Sequence, residues 1–342
     1  MNRIATTALL QRREGFLQAE HGLKLPPVII EKDFWVCWML GLLFGQQDWC
    51  QALVFKGGTA LSKVFGVIRR FSEDIDLSLA PAALGIAESD VEQADTRRKR
   101  DHWMESMESL CCAWVDGELR PALELAVQEV LGMPARDKPW LEFERDAASH
   151  SPVIYFHYPC TIADGLPYIR RFVKLEFGSL TDQRPTGRHL VRPWLADVLP
   201  SEMAGMGCEV VALEIERSFW EKATILHAEH HRDAATLMPE RYSRHYADLA
   251  ALGRSVHSNR AVAEAALRQR VVDWKAKFFA RSWARYDLAK PGTFRLLPPD
   301  TRMAELERDY REMRQMFLDE PVEFSTIMAT LKSLENQINR GA

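Results

Sequence analysis

Two aspartates separated by a single isoleucine are the residues of this sequence best suited to chemistry. Asp74 and Asp76 lie at the start of Ile75–Leu79, whose alternating apolar residues predict a β-strand. Side chains at i and i+2 of a strand share a face, so the two carboxylates project together. They repel one another unless a cation lies between them, and Mg²⁺ prefers such oxygen ligands. The spacing favours a divalent-metal site; the alternative is a strand end whose acids face water or pair with Arg69 and Arg70.

A glycine pair precedes these aspartates and could bind phosphate. Residues 53–55 predict a short strand that runs into Gly57 and Gly58, and Thr59 is typical of a helix start. Glycine lets the backbone approach a ligand closely, and the N–H groups at a helix start favour anions. A glycine turn that opens a helix and leads to a strand with paired acids predicts a phosphate site beside the metal that bridges it.

A third acid is expected on a neighbouring strand, and the stretch RRFVKLEFGSL supplies one. Within residues 172–177 the alternation places Phe172, Lys174 and Glu176 on one face and the remaining apolar residues on the other. Glu176 is therefore the candidate for the third metal ligand. The alternative is a solvent-facing strand edge that carries lysine and glutamate.

A lysine lies within the apolar stripe of a predicted helix in the second half of the chain. Lys222 shares a helix face with Ile215 and Phe219 at the spacing i, i+4, i+7, so it is expected to face inward. A buried ammonium group needs an anion. A nucleoside triphosphate would supply one, and so would an internal salt bridge to Glu31 or Asp248.

Histidine and arginine clusters elsewhere in the chain have weaker interpretations. His227 and His231 have a zinc-like i, i+4 spacing, but the stretch lacks the order H-E-x-x-H, so we expect a rim that meets phosphates or solvent. The basic residues 97–100 are expected to form a solvated helix face. Together with the arginines of residues 179–194 they could also form a track for RNA.

Composition limits the classes of protein to which the chain could belong. Its 342 residues carry a formal net charge of −4, which gives no bulk electrostatic case for nucleic-acid binding but allows a local basic face. Six cysteines without a CxxC pair indicate a reducing cytoplasm and no disulfides. The longest apolar run, residues 34–44, is far shorter than the ~20 residues of a membrane span and predicts a buried helix.

The helices and strands that are predicted to position these residues indicate a mixed α+β half followed by a helical half. We place the boundary near residue 200, with a core and its N-terminal helices in residues 1–200 and a helical domain in residues 201–342. A loop is expected at residues 179–194. Helices are predicted at residues 4–19, 29–45, 88–131 and 214–231, and the helical pattern continues from there to residue 342 with an interruption at residues 290–300. Strands are predicted at residues 153–157, 169–177 and 209–213.

The motifs, taken in order, resemble those of the DNA polymerase β-like nucleotidyltransferase superfamily and, more narrowly, of the AbiEii/AbiGii toxin family. The resemblance rests on the strand and Gly-Gly-Thr turn, on RFSEDIDL and on KLEF. It continues in IIEKDFWVCWML, ERSFWEKATILHAEH and RYSRHYADL, and so spans residues 28–252. It implies a polymerase β-like core, a small mixed sheet with flanking helices, followed by a mainly helical half that completes the nucleotide site.

The resemblance also implies roles for particular residues. The family motif Arg-Asp-x-x-Asp corresponds to residues 244–248, where histidine replaces the first aspartate, and this puts the role of position 245 in doubt. The implied catalytic residues are Asp74, Asp76, Glu176, Lys222 and Asp248, the first three as metal ligands. The implied NTP-binding residues are Lys56, Gly57, Gly58, Thr59, Lys63, Arg70, Ser72, Lys222, Arg244 and His245.

The function that the resemblance implies is that of a cytoplasmic nucleotidyltransferase toxin in a toxin–antitoxin, abortive-infection (phage-defence) system. It would use Mg²⁺ or Mn²⁺ and transfer a nucleotide from an NTP to an acceptor hydroxyl, with the tRNA 3′ end as acceptor. Its expected partners are RNA and a cognate AbiEi-like regulator encoded next to it. The alternatives are transfer to a small-molecule or protein hydroxyl, and a catalytically silent nucleotide-binding module.

Overall fold

The chain forms two compact units. The computed structural model describes residues 1–45, 47–135, 138–147, 149–162, 166, 169–198 and 205–341. One unit comprises residues 1–64 and 72–212, and the other comprises residues 65–71 and 213–342. The boundary that we expected near residue 200 lies outside the described residues, so the division into residues 1–200 and 201–342 stays a prediction.

The first unit is built on a mixed sheet with helices on its flanks. Its helices are α1 (Asn2–Ala5), α2 (Leu9–Leu23), α3 (Pro27–Gly45), α4 (Gln47–Cys50), α5 (Gly57–Lys63), α6 (Glu88–Glu92), α7 (Arg97–Trp114) and α8 (Arg120–Leu131). The strands are β1 (Leu53–Lys56), β2 (Ile75–Leu79), β3 (Leu141–Arg145), β4 (Pro152–Phe156), β5 (Val173–Gly178), β6 (Thr186–Val191) and β7 (Cys208–Leu213). The strand order is β3-β4-β5-β2-β1-β7-β6.

The strands that carry the expected site residues are neighbours in the middle of this sheet. Strand β1 pairs with β2 antiparallel, and β2 pairs with β5 parallel. Strand β7 runs parallel to β1 on its other side. Parallel and antiparallel pairs in one sheet, with helices on its flanks, confirm the predicted α+β class.

The second unit is mainly helical, as the sequence predicts. Its helices are α9 (Ile215–His230), α10 (Ser243–Arg254), α11 (Ser258–Ala263), α12 (Ala265–Phe278), α13 (Asp300–Glu312) and α14 (Phe324–Arg340). Helix α14 shows why the tail folds: Ile327, Leu331, Leu334 and Ile338 are buried at helical spacing. The interruption expected at residues 290–300 separates α12 from α13.

The apolar run at residues 34–44 forms the core of the first unit. It lies within α3, where Trp35 and Trp38 are fully buried and both pack against Phe156 of β4. This confirms the prediction of a buried helix. No helix in the described part of the chain combines the length and apolar composition of a membrane span. All six cysteines are free thiols.

Two strands differ from the expectations. Residues 179–194 were expected to form a loop, but Thr186–Val191 forms β6 beside β7. Exposed and less exposed residues alternate along β6, as in other strands. The arginine, glycine and proline residues of this stretch hide the two-residue alternation in the sequence, so it was predicted to be a loop. The strand Leu141–Arg145 was also missed, because three of its five residues are charged and, among the described strands, it pairs with β4 only.

Candidate functional site

Asp76 lies at the centre of a row of charged residues that crosses three strands. Its Cα is in register with that of Lys56 on β1 and with that of Glu176 on β5. Residues in register on neighbouring strands lie on the same face of a sheet. Asp74 immediately precedes β2, two residues before Asp76. The first unit therefore brings together Lys56, Asp74, Asp76 and Glu176.

The turn at Gly57 lies directly against the Asp76 carboxylate. Gly57 has a φ of +80°, and a Cβ at this position would stand 1.9 Å from Asp76 Oδ2. Only glycine fits such a contact and adopts such a backbone without strain. The structure thus places the Gly57 backbone close to the Asp76 carboxylate, and the close approach of the glycine pair to a phosphate stays a prediction.

Thr59 ties the glycine helix to the strand with the aspartates. Its hydroxyl donates to the backbone carbonyl of Asp74 at 2.5 Å and lies 2.9 Å from Ser72 Oγ. Thr59 is fully buried, which fits a role inside the fold. Contacts of Thr59 and Ser72 with an NTP, which the sequence predicts, stay predictions.

Strand β5 alternates as the sequence predicts. Val173, Leu175 and Phe177 are buried, while Lys174 and Glu176 are partly exposed. The Glu176 carboxylate forms an ion pair with the ammonium group of Lys174. Both interpretations of Glu176 thus have support: it stands beside Asp76, and it belongs to a Lys/Glu pair on the outer face of the strand.

Negative charge is concentrated around Asp74. Burial, followed by the charges of Asp76, Glu73 and Glu176, raises the pKa of Asp74 to about 7. Several carboxylates held this close repel one another, and a cation bound among them would relieve that repulsion.

The donor set fits Mg²⁺ or Mn²⁺, since Asp74, Asp76 and Glu176 all offer hard carboxylate oxygens. Among the described residues, no three acidic, histidine or cysteine side chains are already arranged as a complete ligand set. Glu176 is paired with Lys174 instead.

Lys63, which was predicted to contact the NTP, lies inside the first unit. Its ammonium group is 2.7 Å from Asp33 Oδ1 and 4.3 Å from the ring centre of Trp194. Its side chain is almost fully buried. The structure therefore places Lys63 in a buried ion pair, and a contact with the NTP stays a prediction.

The second unit contains a buried cluster around Asp248. Arg70 donates two hydrogen bonds to this carboxylate, from Nε at 2.8 Å and from Nη2 at 2.9 Å. The Lys222 ammonium group donates a third, at 2.8 Å. Burial alone would raise the pKa of Asp248, but the two cations outweigh it and hold that pKa far below its usual range. Asp248 is thus the salt-bridge partner that the sequence allowed for Lys222.

His245 completes this cluster as a neutral group. Burial and then the positive charges of Lys222 and Arg244 hold the pKa of His245 well below its ordinary value. Its Nδ1 lies 3.2 Å from the Lys222 ammonium nitrogen, which can only donate, so Nδ1 is the acceptor. The histidine found at this position thus supplies a hydrogen-bond acceptor without adding a second negative charge.

His227 of α9 has another role than the one expected. His227 is fully buried, Nε2 lies 2.9 Å from the carbonyl oxygen of Arg285, and Nδ1 accepts from the backbone N–H of Arg295. Both ring nitrogens of His227 therefore join α9 to the segment before α13. The expectation of a rim that meets phosphates or solvent is wrong for His227, because its helix face is covered.

Sequence reasoning missed one buried contact next to the aspartates. Lys32 of α3 forms an ion pair with Glu73, the residue before Asp74. A signal for it exists in the sequence: three consecutive charged residues, Glu31 to Asp33, interrupt an otherwise apolar stretch of a predicted helix. Buried charges of this kind require partners, although the sequence does not say which ones.

Comparison with known proteins places the chain in a family. The structure is similar to that of MenT4, a nucleotidyltransferase toxin from Mycobacterium tuberculosis H37Rv, with 16% sequence identity and a TM-score of 0.41 over 99% of this chain and 98% of that chain. No curated protein matches the sequence significantly. Residues 41–330 match the model of the nucleotidyl transferase AbiEii toxins of type IV toxin–antitoxin systems, and the chain therefore belongs to this family of nucleotidyltransferase toxins.

Proposed function

We propose that this toxin transfers a nucleotide from an NTP to the hydroxyl at a tRNA 3′ end, using Mg²⁺ or Mn²⁺ held by Asp74, Asp76 and Glu176. The observation that carries the proposal is the register that sets Asp76 beside Glu176, with the Asp76 carboxylate against the Gly57 turn. Acids on adjacent strands, next to a backbone that only glycine can form, are what a metal–phosphate site requires.

The chain's own residues would act mainly by holding the reactants in place. When bound, the metal would lower the pKa of the acceptor hydroxyl and stabilise the charge that develops on the transferred phosphate. Asp74 and Asp76 supply oxygen ligands on one face of β2, and Gly57 leaves room for close approach. Catalysis by positioning and by preorganised charge is sufficient for such a transfer.

Lys222 and Arg70 are proposed to interact with the nucleotide through the excess charge of their cluster. Within the cluster of Arg70, Lys222, His245 and Asp248, two cations donate hydrogen bonds to one carboxylate, and His245 is neutral. The cluster therefore carries a net positive charge, which favours an anion such as phosphate. Arg244, whose charge also acts on His245, would add to the attraction.

The basic residues on the surface give partial support to the proposal that the acceptor is RNA. The basic residues 97–100 at the start of α7 are mostly exposed, as an RNA contact requires. Arg184 and Arg188, however, are paired with Glu88 and Glu209. These exposed pairs offset part of the positive charge of the predicted basic track, and transfer to a small-molecule or protein hydroxyl is the second candidate.

Membership of the family supports a proposal for the partner and the compartment. We propose that an AbiEi-like regulator encoded next to the toxin is its cognate antitoxin, that the pair acts in the cytoplasm, and that it serves in defence against phages. The free thiols of all six cysteines are compatible with a reducing compartment.

One labelling experiment tests the proposal and its alternatives. Purified protein is incubated with each α-³²P-labelled NTP, Mg²⁺ or Mn²⁺, and either purified tRNA or a mixture of metabolites and proteins. We expect label on tRNA with one NTP, and none after chelation of the metal. Label on a protein or small molecule would favour the second candidate. NTP binding without transfer to any acceptor would instead indicate a silent binding module.

A further inference from the structure

Helix α3 carries three consecutive charged residues that are all buried. Glu31, Lys32 and Asp33 have relative exposures of 0%, 1% and 3%. Consecutive residues of an α-helix point about 100° apart, so three of them reach in three different directions. Each can therefore hold a different segment of the first unit.

Lys32 reaches the segment that carries the aspartates. Its ammonium group forms an ion pair with Glu73 and donates to the backbone carbonyl of Arg170 at 2.7 Å. Glu73 precedes Asp74, and Arg170 lies three residues before the start of β5, the strand that carries Glu176. The Lys32 side chain thus contacts the segments that lead into β2 and β5, two strands of the candidate site.

Asp33 reaches the glycine helix. Its Oδ1 accepts a hydrogen bond from Lys63, the last residue of α5, and its Oδ2 accepts one from the backbone N–H of Trp194, each at 2.7 Å. Lys63 is also held over the indole ring of Trp194. Because α5 begins at Gly57, this pair fixes the end of the short helix opposite the turn.

Glu31 reaches a segment outside the candidate site. Its carboxylate accepts hydrogen bonds from the backbone N–H groups of Thr161 and Ile162, at 2.7 Å and 3.1 Å, and from the Thr161 hydroxyl at 2.7 Å. It is as buried as its two neighbours but anchors a connecting segment. Glu31 is therefore a natural control for the other two residues.

Buried ion pairs are weak contributors to stability, since apolar residues of similar volume often stabilise a protein as much or more. Such pairs can instead select one arrangement of the segments that they join. Here the two segments so joined are the two that the site needs in register: the Gly57 helix and the strand with Asp74 and Asp76.

From these contacts we infer that Lys32 and Asp33 are positioning residues for nucleotide transfer, which hold the glycine helix and the aspartate strand in one fixed arrangement through their pairs with Lys63 and Glu73. The catalytic part of this inference rests on the proposed function. Neither residue needs to touch the substrate, because each acts through a segment that bears site residues.

Three variants, Lys32→Met, Asp33→Asn and the control Glu31→Gln, test the inference in steady-state transfer assays well below their melting temperatures. We expect kcat to fall about 100-fold in the first two, because small misplacements of reacting groups have effects of this size, with KM for NTP nearly unchanged. The control should keep the wild-type kcat, even where its melting temperature falls.

A double variant separates positioning from charge balance. In Lys32→Met/Glu73→Gln neither partner of the former ion pair keeps an unpaired charge, so the melting temperature should recover. The value of kcat should stay low, because the ion pair that positions the aspartate strand is still absent. Recovery of kcat to within twofold of the wild type would overturn the inference. So would a wild-type kcat in both Lys32→Met and Asp33→Asn.

Hydrogen exchange tests whether Lys32, Asp33 and Glu31 hold their segments, without a measurement of transfer activity. Amides of residues 72–79 should exchange about tenfold faster in Lys32→Met, those of residues 57–63 in Asp33→Asn, and those of residues 160–162 in Glu31→Gln. Identical exchange patterns in the three variants would also overturn the inference. If the wild type transfers no nucleotide to any acceptor, the proposed function fails, and these patterns still decide whether the ties hold their segments.

Discussion

At the scale of single residues, the contact between Gly57 and Asp76 shows how closely the glycine turn and the proposed metal-binding acids depend on one another. The backbone at Gly57 occupies the left-handed region, and the Asp76 carboxylate fills the space that a side chain would need. The turn and the acid therefore depend on one another structurally, although they are nineteen positions apart in the sequence.

Gly57→Ala should lower transfer strongly, because the added methyl group displaces the Asp76 carboxylate. The left-handed backbone should also reduce stability by about 1–2 kcal/mol. Gly85→Ala is the matched control: Gly85 has a φ of +71°, and a Cβ there would meet nothing within 4 Å. Transfer rates and chemical denaturation of both variants measure the two effects. Equal transfer by both variants would show that the contact with Asp76 does not matter.

Lys222→Met should keep the fold and lose function. Asp248 retains both hydrogen bonds from Arg70, so the substitution leaves no carboxylate without a partner. Transfer should fall roughly 10²–10³-fold, as loss of a preorganised electrostatic contact usually does, and NTP should bind more weakly. A melting curve and an NTP titration measure both.

Asp248→Asn gives the contrasting result. It leaves Arg70 and Lys222 without their shared charge, which should reduce stability by about 3–5 kcal/mol. If Lys222→Met were destabilised to the same extent and still bound NTP normally, Lys222 would be a structural residue only.

At the scale of helices and strands, α9 is joined to the segment before α13 by a histidine that must stay neutral. Burial lowers the pKa of His227 to about 4. Both ring nitrogens are used by backbone groups, and a proton on Nδ1 would remove the acceptor for the Arg295 N–H.

The stability of the protein should therefore fall on mild acidification. The unfolded chain binds a proton at His227 with a pKa near 6.5, whereas the folded chain binds it only near 4, so the contribution is complete above pH 6.5 and is lost as the pH falls toward 4. The loss is about 3 kcal/mol, since one pKa unit corresponds to ~1.4 kcal/mol. Urea denaturation at several pH values should show a flatter dependence for His227→Gln than for the wild type. Equal pH dependence would contradict this account.

The elements show what the sequence could and could not predict. The strand Ile75–Leu79 and the buried helix α3 were predictable because their apolar periodicity is strong. The register of Asp76 with Glu176 was not, because pairing between distant strands leaves no local signal. The same limit applies to Lys63. Its charge can be read from the sequence, but its buried ion pair with Asp33 depends on tertiary packing.

At the scale of the whole molecule, membership of the AbiEii toxin family connects the chemistry to an effect on the cell. A toxin of such a system is expected to slow the growth of its producer unless an antitoxin is present. The two compact units divide the expected site residues: the acids and the glycine pair belong to the first, and Lys222 and Asp248 to the second.

Expression of the wild-type chain in a bacterial host should slow growth, and co-expression of the proposed antitoxin, the AbiEi-like regulator expected next to it, should restore growth. Growth curves with inducible expression measure both effects, and the Asp76→Ala variant expressed to the same level is the control. Harmless high-level expression of the wild-type chain in several hosts would contradict a toxin function for this protein.

The central claim is that Asp76 binds the metal that makes transfer possible, and one comparison tests it most directly. Transfer of label from an NTP in the presence of Mg²⁺ is measured for the wild type and for Asp76→Ala, with the melting temperature of each. We expect the variant to lose transfer and to keep or exceed the wild-type melting temperature, because a repulsion between carboxylates is relieved. Full Mg²⁺-dependent transfer by the variant would contradict the metal assignment, and a sharply lower melting temperature would identify Asp76 as a structural acid.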